Sequence, residues 1–300
     1  MLLTGPTGGL GRAVLAELRE PRPAGIALLG RDPAGLADAV TTVPGAQSVP
    51  VDLASLDSVH AAAQGVRALV EAGHPPVSAV ILNAGVQTAD RRRTSADGHE
   101  LTFAVNVLAQ HALLLGLEPA MAPDARVVLL GSATHLGDWH SYGRIPKPRW
   151  EDPAVLATPD PADGPLDPTG GTRAYSTSKL GVLYLAHAWQ RRRDALFVNV
   201  FDPGLMTGTG LVREQGRAAR FARKHVLPRL TVLPGTSSPA TAAANLVALA
   251  LGERHSALRG GYVEGDRHCG SSTESYDIVR EDALWDWCTA TVAGRAGSGA

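Results

Sequence analysis

Tyr175-Ser176-Thr177-Ser178-Lys179 sets a phenol and an amine four positions apart. On a helix those positions share a face, with a rise of about 6 Å between them. At an effective dielectric near ~20, an ammonium at that distance favours the phenolate by roughly 3 kcal/mol, or about two pKa units. That predicts a tyrosine moved from about 10 toward about 8, able to exchange a proton with an alcohol or ketone near neutral pH. The plain alternative is an exposed pair on an ordinary helix. Lysine is scarce, with only Lys147, Lys179 and Lys224 against many arginines, so a compact, titratable ammonium at this spot is noteworthy.

A second chemical signal lies at the start of the chain. Thr4-Gly5-Pro6-Thr7-Gly8-Gly9-Leu10-Gly11 sits between an apolar run and a segment of helical period. Glycines there let backbone turn tightly and approach a pyrophosphate, whose charge rests on free N–H groups at a helix N-terminus. Gly5, Gly9 and Gly11 read as GxxxGxG; Gly5, Gly8 and Gly11 read as GxxGxxG. The second apolar run ends Leu28-Leu29-Gly30-Arg31-Asp32. In a dinucleotide-binding fold this tip faces the adenosine ribose, where an acid would accept from a 2′-hydroxyl and a guanidinium would pair with a 2′-phosphate. Arg31 therefore predicts NADP(H) over NAD(H). Asp32 is a competing signal, and a solvated Arg31 capped by Asp32 is the plain alternative.

These residues need a frame. Apolar runs at Met1–Thr4, Gly25–Gly30, Ser48–Val51, Ala79–Leu82, Arg126–Gly131 and Leu196–Phe201 alternate with helical periods at Leu10–Glu20, Ala34–Val40, Leu56–Glu71, His99–Leu117 and Tyr175–Arg192. Unbroken apolar strands between helices predict a parallel sheet covered on both faces, a doubly wound α/β (Rossmann) fold. A helix over Ser238–Leu251, a late strand at Gly261–Glu264 and a closing helix over Ser275–Ala290 follow. No linker divides the chain, which predicts one domain over residues 1–300. A Pro-, Gly- and Asp-rich insertion at 137–172 carries Trp139, His140, Tyr142 and Trp150, and predicts an ordered lid.

Composition narrows the function. The chain has 300 residues, 28 Lys+Arg against 29 Asp+Glu, and a net charge of −1, which argues against nucleic acid as a partner. Apolar residues make up 44%, enough for a large core. Two cysteines, Cys269 and Cys288, form no disulfide framework and suit a reducing compartment. No run of 18 or more apolar residues predicts a membrane span, and no secretory signal opens the chain. The expectation is a cytoplasmic globular protein. His268-Cys269 lacks metal-ligand partners at useful spacing and is expected in a tail loop.

Taken in order, TGPTGGLG, Leu82-Asn83-Ala84-Gly85, Asn106 in Val105-Asn106-Val107, Gly131-Ser132, Tyr175…Lys179 and Asp202-Pro203-Gly204 resemble the short-chain dehydrogenase/reductase family, well over residues 1 to about 210 and loosely from Arg259 to Ala290. The Asn-Ala-Gly motif favours the GxxxGxG reading, because extended epimerase-type members usually lack it. The resemblance implies Tyr175 as acid/base and Lys179 on the nicotinamide ribose, depressing the tyrosine pKa. It implies Ser132 on the substrate oxygen and Asn106 anchoring the water of a proton relay; a buried asparagine satisfying backbone groups is the structural alternative for Asn106. Asp52-Leu53 would meet the adenine, and Asn83, Ala84 and Gly85 would line the ribose. Pro203, Gly204 and Thr207 would hold the carboxamide end. Gly5, Thr7, Gly8, Gly9, Leu10 and Gly11 would hold the pyrophosphate.

The 43 positions from Ser132 to Tyr175, together with Asp97-Gly98-His99-Glu100-Leu101 and Pro203-Gly204-Leu205…Thr209-Gly210-Leu211-Val212-Arg213-Glu214, resemble the retinol dehydrogenase and protochlorophyllide reductase branch. Two departures stand out. The first strand has about three residues before Thr4, which implies a frayed edge or a start upstream. Asp202 stands where that branch usually has His, Tyr or Asn. Leu211–Leu227 reads as an amphipathic helix with a basic stripe of Arg213, Arg217, Arg220 and Lys224, solvated or guiding an anionic substrate. Arg91–Arg93 and Arg191–Arg193 are expected as solvated charges.

The leading expectation is an NADP(H)-dependent oxidoreductase interconverting the carbonyl and alcohol of a fairly large apolar small molecule, with the insertion and the substrate-loop region 204–237 making room. The alternatives are an epimerase or dehydratase that retains NAD(P), and a non-catalytic NADP(H) sensor. The helices His99–Leu117 and Tyr175–Arg192 often form homodimer faces in relatives, while members with long insertions can be monomers.

Overall fold

Strands that are apolar at every position need cover on both sides, and the central strands have it. The computed structural model describes residues 1–18, 23–137, 145–165, 167–206 and 236–296. Strands β1 (Leu2–Thr4), β2 (Ile26–Gly30), β3 (Ala46–Pro50), β4 (Val77–Leu82), β5 (Met121–Leu130), β6 (Phe197–Asp202), β9 (Tyr262–Glu264) and β10 (Arg267–Cys269) form one sheet in the order β10-β9-β6-β5-β4-β1-β2-β3. All pairs are parallel except β9–β10. A small parallel pair, β7 (Leu205–Met206) and β8 (Thr236–Ser237), stands apart.

Each face of the sheet has its own core. Helices α1 (Gly9–Glu17), α2 (Pro33–Thr42) and α7 (Pro239–Leu251) cover one face through Leu10, Val14, Leu36 and Leu246. Helices α3 (Leu56–Glu71), α4 (101–117), α6 (Gly170–Arg192) and α8 (Ile278–Ala296) cover the other through Val59, Leu113, Leu183 and Leu284. A one-turn helix, α5 (Pro153–Leu156), lies in the insertion. Helix starts are set by local chemistry: Asp32, Ser55 and Ser238 cap α2, α3 and α7, with proline in the first turn of α2 and α7. The strand order reverses between β1 and β4, which opens a crevice at their carboxyl ends, the place where this architecture binds ligands.

Several sequence expectations need correction. His268-Cys269 is not tail loop but edge strand β10, turned back on β9 through Gly265 at φ +61°; three residues are too short to show a period. Helix α6 begins five residues before Tyr175, because Gly171 lets it press against the 88–89 backbone, where a Cβ would lie 2.3 Å from the Thr88 carbonyl oxygen. Helix α4 contains a π-helical turn, Ala104–Leu108. Among the described residues one helix, Leu101–Ala120, is long and apolar enough to cross a bilayer, but 78% of its apolar window is buried inside the fold.

The arginine clusters are not simply solvated. Arg91 donates to the carbonyls of Val155 (3.3 Å), Leu156 (3.4 Å) and Thr158 (2.8 Å), tying the insertion to the body. Arg191 pairs with Glu281 (2.7 Å) and Asp282 (2.9 Å), Arg192 pairs with Asp282, and Arg193 with Glu118. Helix α8 thereby covers α4 and α6, the helices expected to offer a dimer face. Trp285 meets Trp189 at 5.0 Å and His111 at 4.7 Å between ring centroids. Trp150 of the insertion packs edge-on against Tyr184 at 4.5 Å between ring centroids. Trp139, His140, Tyr142, Thr207 and the expected helix Leu211–Leu227 lie outside the described residues.

Candidate active site

The β1–α1 turn is built from backbone. Gly5 has φ +66°, and its N–H donates to the Leu29 carbonyl at 2.8 Å. A Cβ on Gly11 would lie 2.1 Å from the Gly5 carbonyl oxygen, so only glycine lets α1 sit this close to the turn. Gly8 and Gly9 are exposed, and α1 starts with no side-chain cap and no acid in its first turn. Free N–H groups at an open, positive helix end suit a pyrophosphate. Asn83 braces this turn: its amide donates to the carbonyls of Thr4 (3.0 Å) and Gly5 (3.1 Å), while the Ala84 N–H donates to the Thr4 hydroxyl (2.9 Å).

At the neighbouring tip of β2, Arg31 is exposed, and Asp32 spends a carboxylate oxygen on the Ala34 N–H at 3.2 Å. The competing acid is thus a helix cap. Thr7 approaches Gly35 of α2, joining this tip to the glycine turn. Asp52, half-buried after β3, accepts from the Ala54 N–H (3.1 Å), and Leu53 beside it is buried.

The expected site residues converge from several elements. Tyr175 and Lys179 are buried on α6, with the Lys179 Nζ 5.5 Å from the Tyr175 ring centroid. Ser132, at the end of β5, lies close enough to the phenol to lower its pKa. Lys179 donates to the Leu130 carbonyl at 2.7 Å. Gly85, after β4, faces both Asn106 and Lys179: a Cβ there would meet Asn106 Oδ1 at 3.0 Å and Lys179 Nζ at 3.9 Å. On the π-helical turn, Asn106 accepts from the Val86 N–H (2.8 Å) and donates to the Val86 carbonyl (2.9 Å) and the Ser178 hydroxyl (3.0 Å). These three bonds join the β4 loop to α6. Pro203 is buried, and Gly204, at φ +72°, closes the site beyond β6.

Electrostatics here run against the sequence expectation. Burial raises the Tyr175 phenol well above its ordinary value, the Asp202 carboxylate raises it further, and the Ser132 hydrogen bond offsets part of the shift. Burial lowers Lys179 to about 8, with Asp202 pulling the other way. The calculation from spacing assumed a partly hydrated pair; in a dry site desolvation exceeds the attraction between them.

Three participants gave little or no sequence signal. Gln110, buried, donates to the carbonyls of Ala84 (3.1 Å) and Val105 (3.1 Å), supporting the π-helical turn. His135 contacts the Ser132 carbonyl through Nδ1 at 2.6 Å and accepts from the Ser272 N–H at 3.2 Å. Tyr262 donates to Asp202 at 2.6 Å. A cavity of about 160 Å³ lined by Arg91, Glu100, Arg173, Ala174 and Thr177 takes the opposite face of α6 from Tyr175 and Lys179.

A glycine turn braced from β4, with Ser132, Tyr175 and Lys179 gathered at neighbouring strand tips, finds its counterpart in known proteins. A family model described as short chain dehydrogenase matches residues 1–141. The chain belongs to the short-chain dehydrogenase/reductase family. Polyprenol dehydrogenase of Mus musculus is 30% identical over 245 residues, covering 74% of this chain and 64% of that protein. Protochlorophyllide reductase B, chloroplastic, of Hordeum vulgare is 30% identical over 232 residues, covering 71% and 58%. These relatives set the chain in the family's retinol dehydrogenase and protochlorophyllide reductase-like branch. The crystal structure of NADPH-bound carbonyl reductase from chicken fatty liver shares the fold, with a TM-score of 0.62 and 16% identity, covering 88% of this chain and 91% of that one. The family is one of oxidoreductases that use NAD(P)(H) and act on small molecules.

Proposed function

We propose that this protein is an NADP(H)-dependent oxidoreductase that interconverts a carbonyl and an alcohol on a fairly large apolar substrate. The observation that carries the reading is the meeting of Tyr175, Ser132 and Lys179 at the carboxyl ends of β4 to β6, on the reaction side of a glycine turn suited to a dinucleotide. Gly5, Thr7, Gly8, Gly9, Leu10 and Gly11 would hold the pyrophosphate, and Arg31 a 2′-phosphate. Asp52 and Leu53 would meet the adenine. Asn83, Ala84, Gly85 and Lys179 would hold the ribose end, and Pro203, Gly204 and Thr207 the carboxamide. Bound there, the nicotinamide supplies or accepts the hydride.

The chain's own residues handle the proton. Ser132 orients the substrate oxygen toward the phenol. Tyr175, kept protonated by burial, donates to the oxygen of a carbonyl and takes the proton back from an alcohol. Asn106 fixes the β4 loop on α6, so that Gly85 and Lys179 keep their separation. The insertion 137–172 and the region 204–237 would wall a pocket for a bulky apolar group within one domain. The NADP(H) preference is supported by an exposed Arg31 beside an Asp32 already spent on a helix cap.

Fluorescence titration with NADPH and NADH, then a ketone and aldehyde panel, tests this. The expected result is at least about a tenfold preference for NADPH, lost in Arg31→Asp, with turnover of apolar carbonyls. Equal affinity for both cofactors, or an Arg31→Asp protein that keeps the preference, rejects the cofactor assignment.

A further inference from the structure

The acid ahead of Pro203-Gly204 is buried, with 2% of its surface exposed. Its carboxylate accepts from the Tyr262 hydroxyl at Oδ2 (2.6 Å) and from the Gly204 N–H at Oδ1 (2.8 Å). Both donors are neutral. They give each oxygen one hydrogen bond and leave the charge uncompensated, which a dry interior tolerates poorly. The buried cation nearby is Lys179, 6% exposed. Its Nζ donates to the carbonyl of Leu130, and Leu130 pairs in register with Phe201, the residue before Asp202. The Lys179 ammonium is thereby held at the tip of β5, the strand beside the one that ends in Asp202.

We propose that Asp202 is the counter-charge of Lys179, a positioning residue that keeps the buried ammonium protonated and the Tyr175 phenol in its donor form, poising the site for carbonyl reduction. The last step rests on the oxidoreductase reading above; the charge coupling between Asp202 and Lys179 does not. Burial alone drives a lysine several units down, and Asp202 opposes that drop in Lys179 while raising Tyr175. Other described groups around the acid are Tyr262 on β9 and Cys269 on β10, both pushed up chiefly by burial, with Asp202 adding strongly at Tyr262 and least at Cys269, where Glu264 and Arg267 also bear. His135, after β5, meets the Tyr262 ring edge-on at 4.9 Å. Asp202 and Glu264 are the carboxylates of this group, and it is Asp202 that acts on both Tyr175 and Lys179.

The scarcity of lysine makes the test clean. In protein labelled with ¹³C-lysine, Lys147→Arg and Lys224→Arg leave one signal, and its Cε shift against pH reads the Lys179 midpoint without cofactor or substrate. The wild-type midpoint is expected near about 8. Asp202→Asn should lower it by at least about one pH unit, whereas Tyr262→Phe, which removes a hydroxyl but no charge, should move it by less than about half a unit. An unchanged midpoint in Asp202→Asn, or an equal drop in Tyr262→Phe, overturns the proposal.

A stability cycle covers an Asp202→Asn protein too unstable to titrate. Adding Lys179→Met should restore stability toward wild type, because losing both charges is tolerated better than stranding one; a double variant no more stable than Asp202→Asn alone overturns the pair. In turnover, the basic limb of carbonyl reduction should follow the Lys179 midpoint downward in Asp202→Asn, and a limb that stays in place rejects the link to catalysis. Wild-type protein that turns over no carbonyl, while Asp202→Asn still lowers the Lys179 midpoint, would sink the proposed function and spare the charge coupling.

Discussion

The β1–α1 turn and the α6 dyad sit in one crevice but are stabilised by opposite means. The turn is mostly backbone: Gly5 and Gly11 are required by close approach, Asn83 ties the carbonyls, and Gly8 and Gly9 lie exposed at the uncapped start of α1. The dyad is side chain and dry, with Tyr175 and Lys179 both buried and tuned by Asp202 from another strand. A turn made of backbone geometry depends on residue size. A site made of buried charge depends on what surrounds it, and its behaviour shifts with pH.

Substitutions should separate the two regions. The largest effect is expected in the dry half: Lys179→Met should lower turnover by about two orders of magnitude or more, measured as kcat on an apolar ketone with the fold checked by circular dichroism. Loss of less than about threefold would mean that the ammonium takes no part. In the backbone half, Gly11→Ala should cost about 1–3 kcal/mol in denaturant unfolding, because its Cβ has no room beside the Gly5 carbonyl. Gly8→Ala, whose Cβ would lie 3.6 Å from the same oxygen, should cost less than about 1 kcal/mol. Equal costs at the two glycines would remove the steric account of the turn.

The pH profile should divide the halves again. A lysine lowered to about 8 is charged below that pH and neutral above it, so the rate of carbonyl reduction should hold at neutral pH and fall as pH rises past about 8. NADPH binding would rest mainly on backbone N–H groups of the glycine turn, with Lys179 touching only the ribose end, so its dependence on pH should be shallower than that of the rate. A rate that climbs steadily from pH 7 to about 10 would contradict a required ammonium.

The same contrast explains what the sequence could convey. Glycine spacing, the Tyr175…Lys179 interval and the apolar strands are local patterns, and each maps onto the structure at its expected place. Arg31 and Asp32 were adjacent letters with competing meanings until the Ala34 N–H claimed the acid. The direction of the Tyr175 shift differs from what the spacing predicts, because it depends on burial under elements far away in the chain. Tyr262 reaches Asp202 across 60 positions, a contact that leaves no period in the sequence. Covering of α4 and α6 by α8 was likewise hidden, since Trp285 and Leu284 look like any amphipathic helix until Trp189 and His111 are beside them.

The account stands most directly on the proton carried by Tyr175. Tyr175→Phe should bind NADPH within about threefold of wild type by fluorescence titration, while single-turnover reduction of an apolar ketone slows by about two to four orders of magnitude. Reduction at an undiminished rate in that variant would contradict the account, because the proton would then be reaching the substrate oxygen from elsewhere.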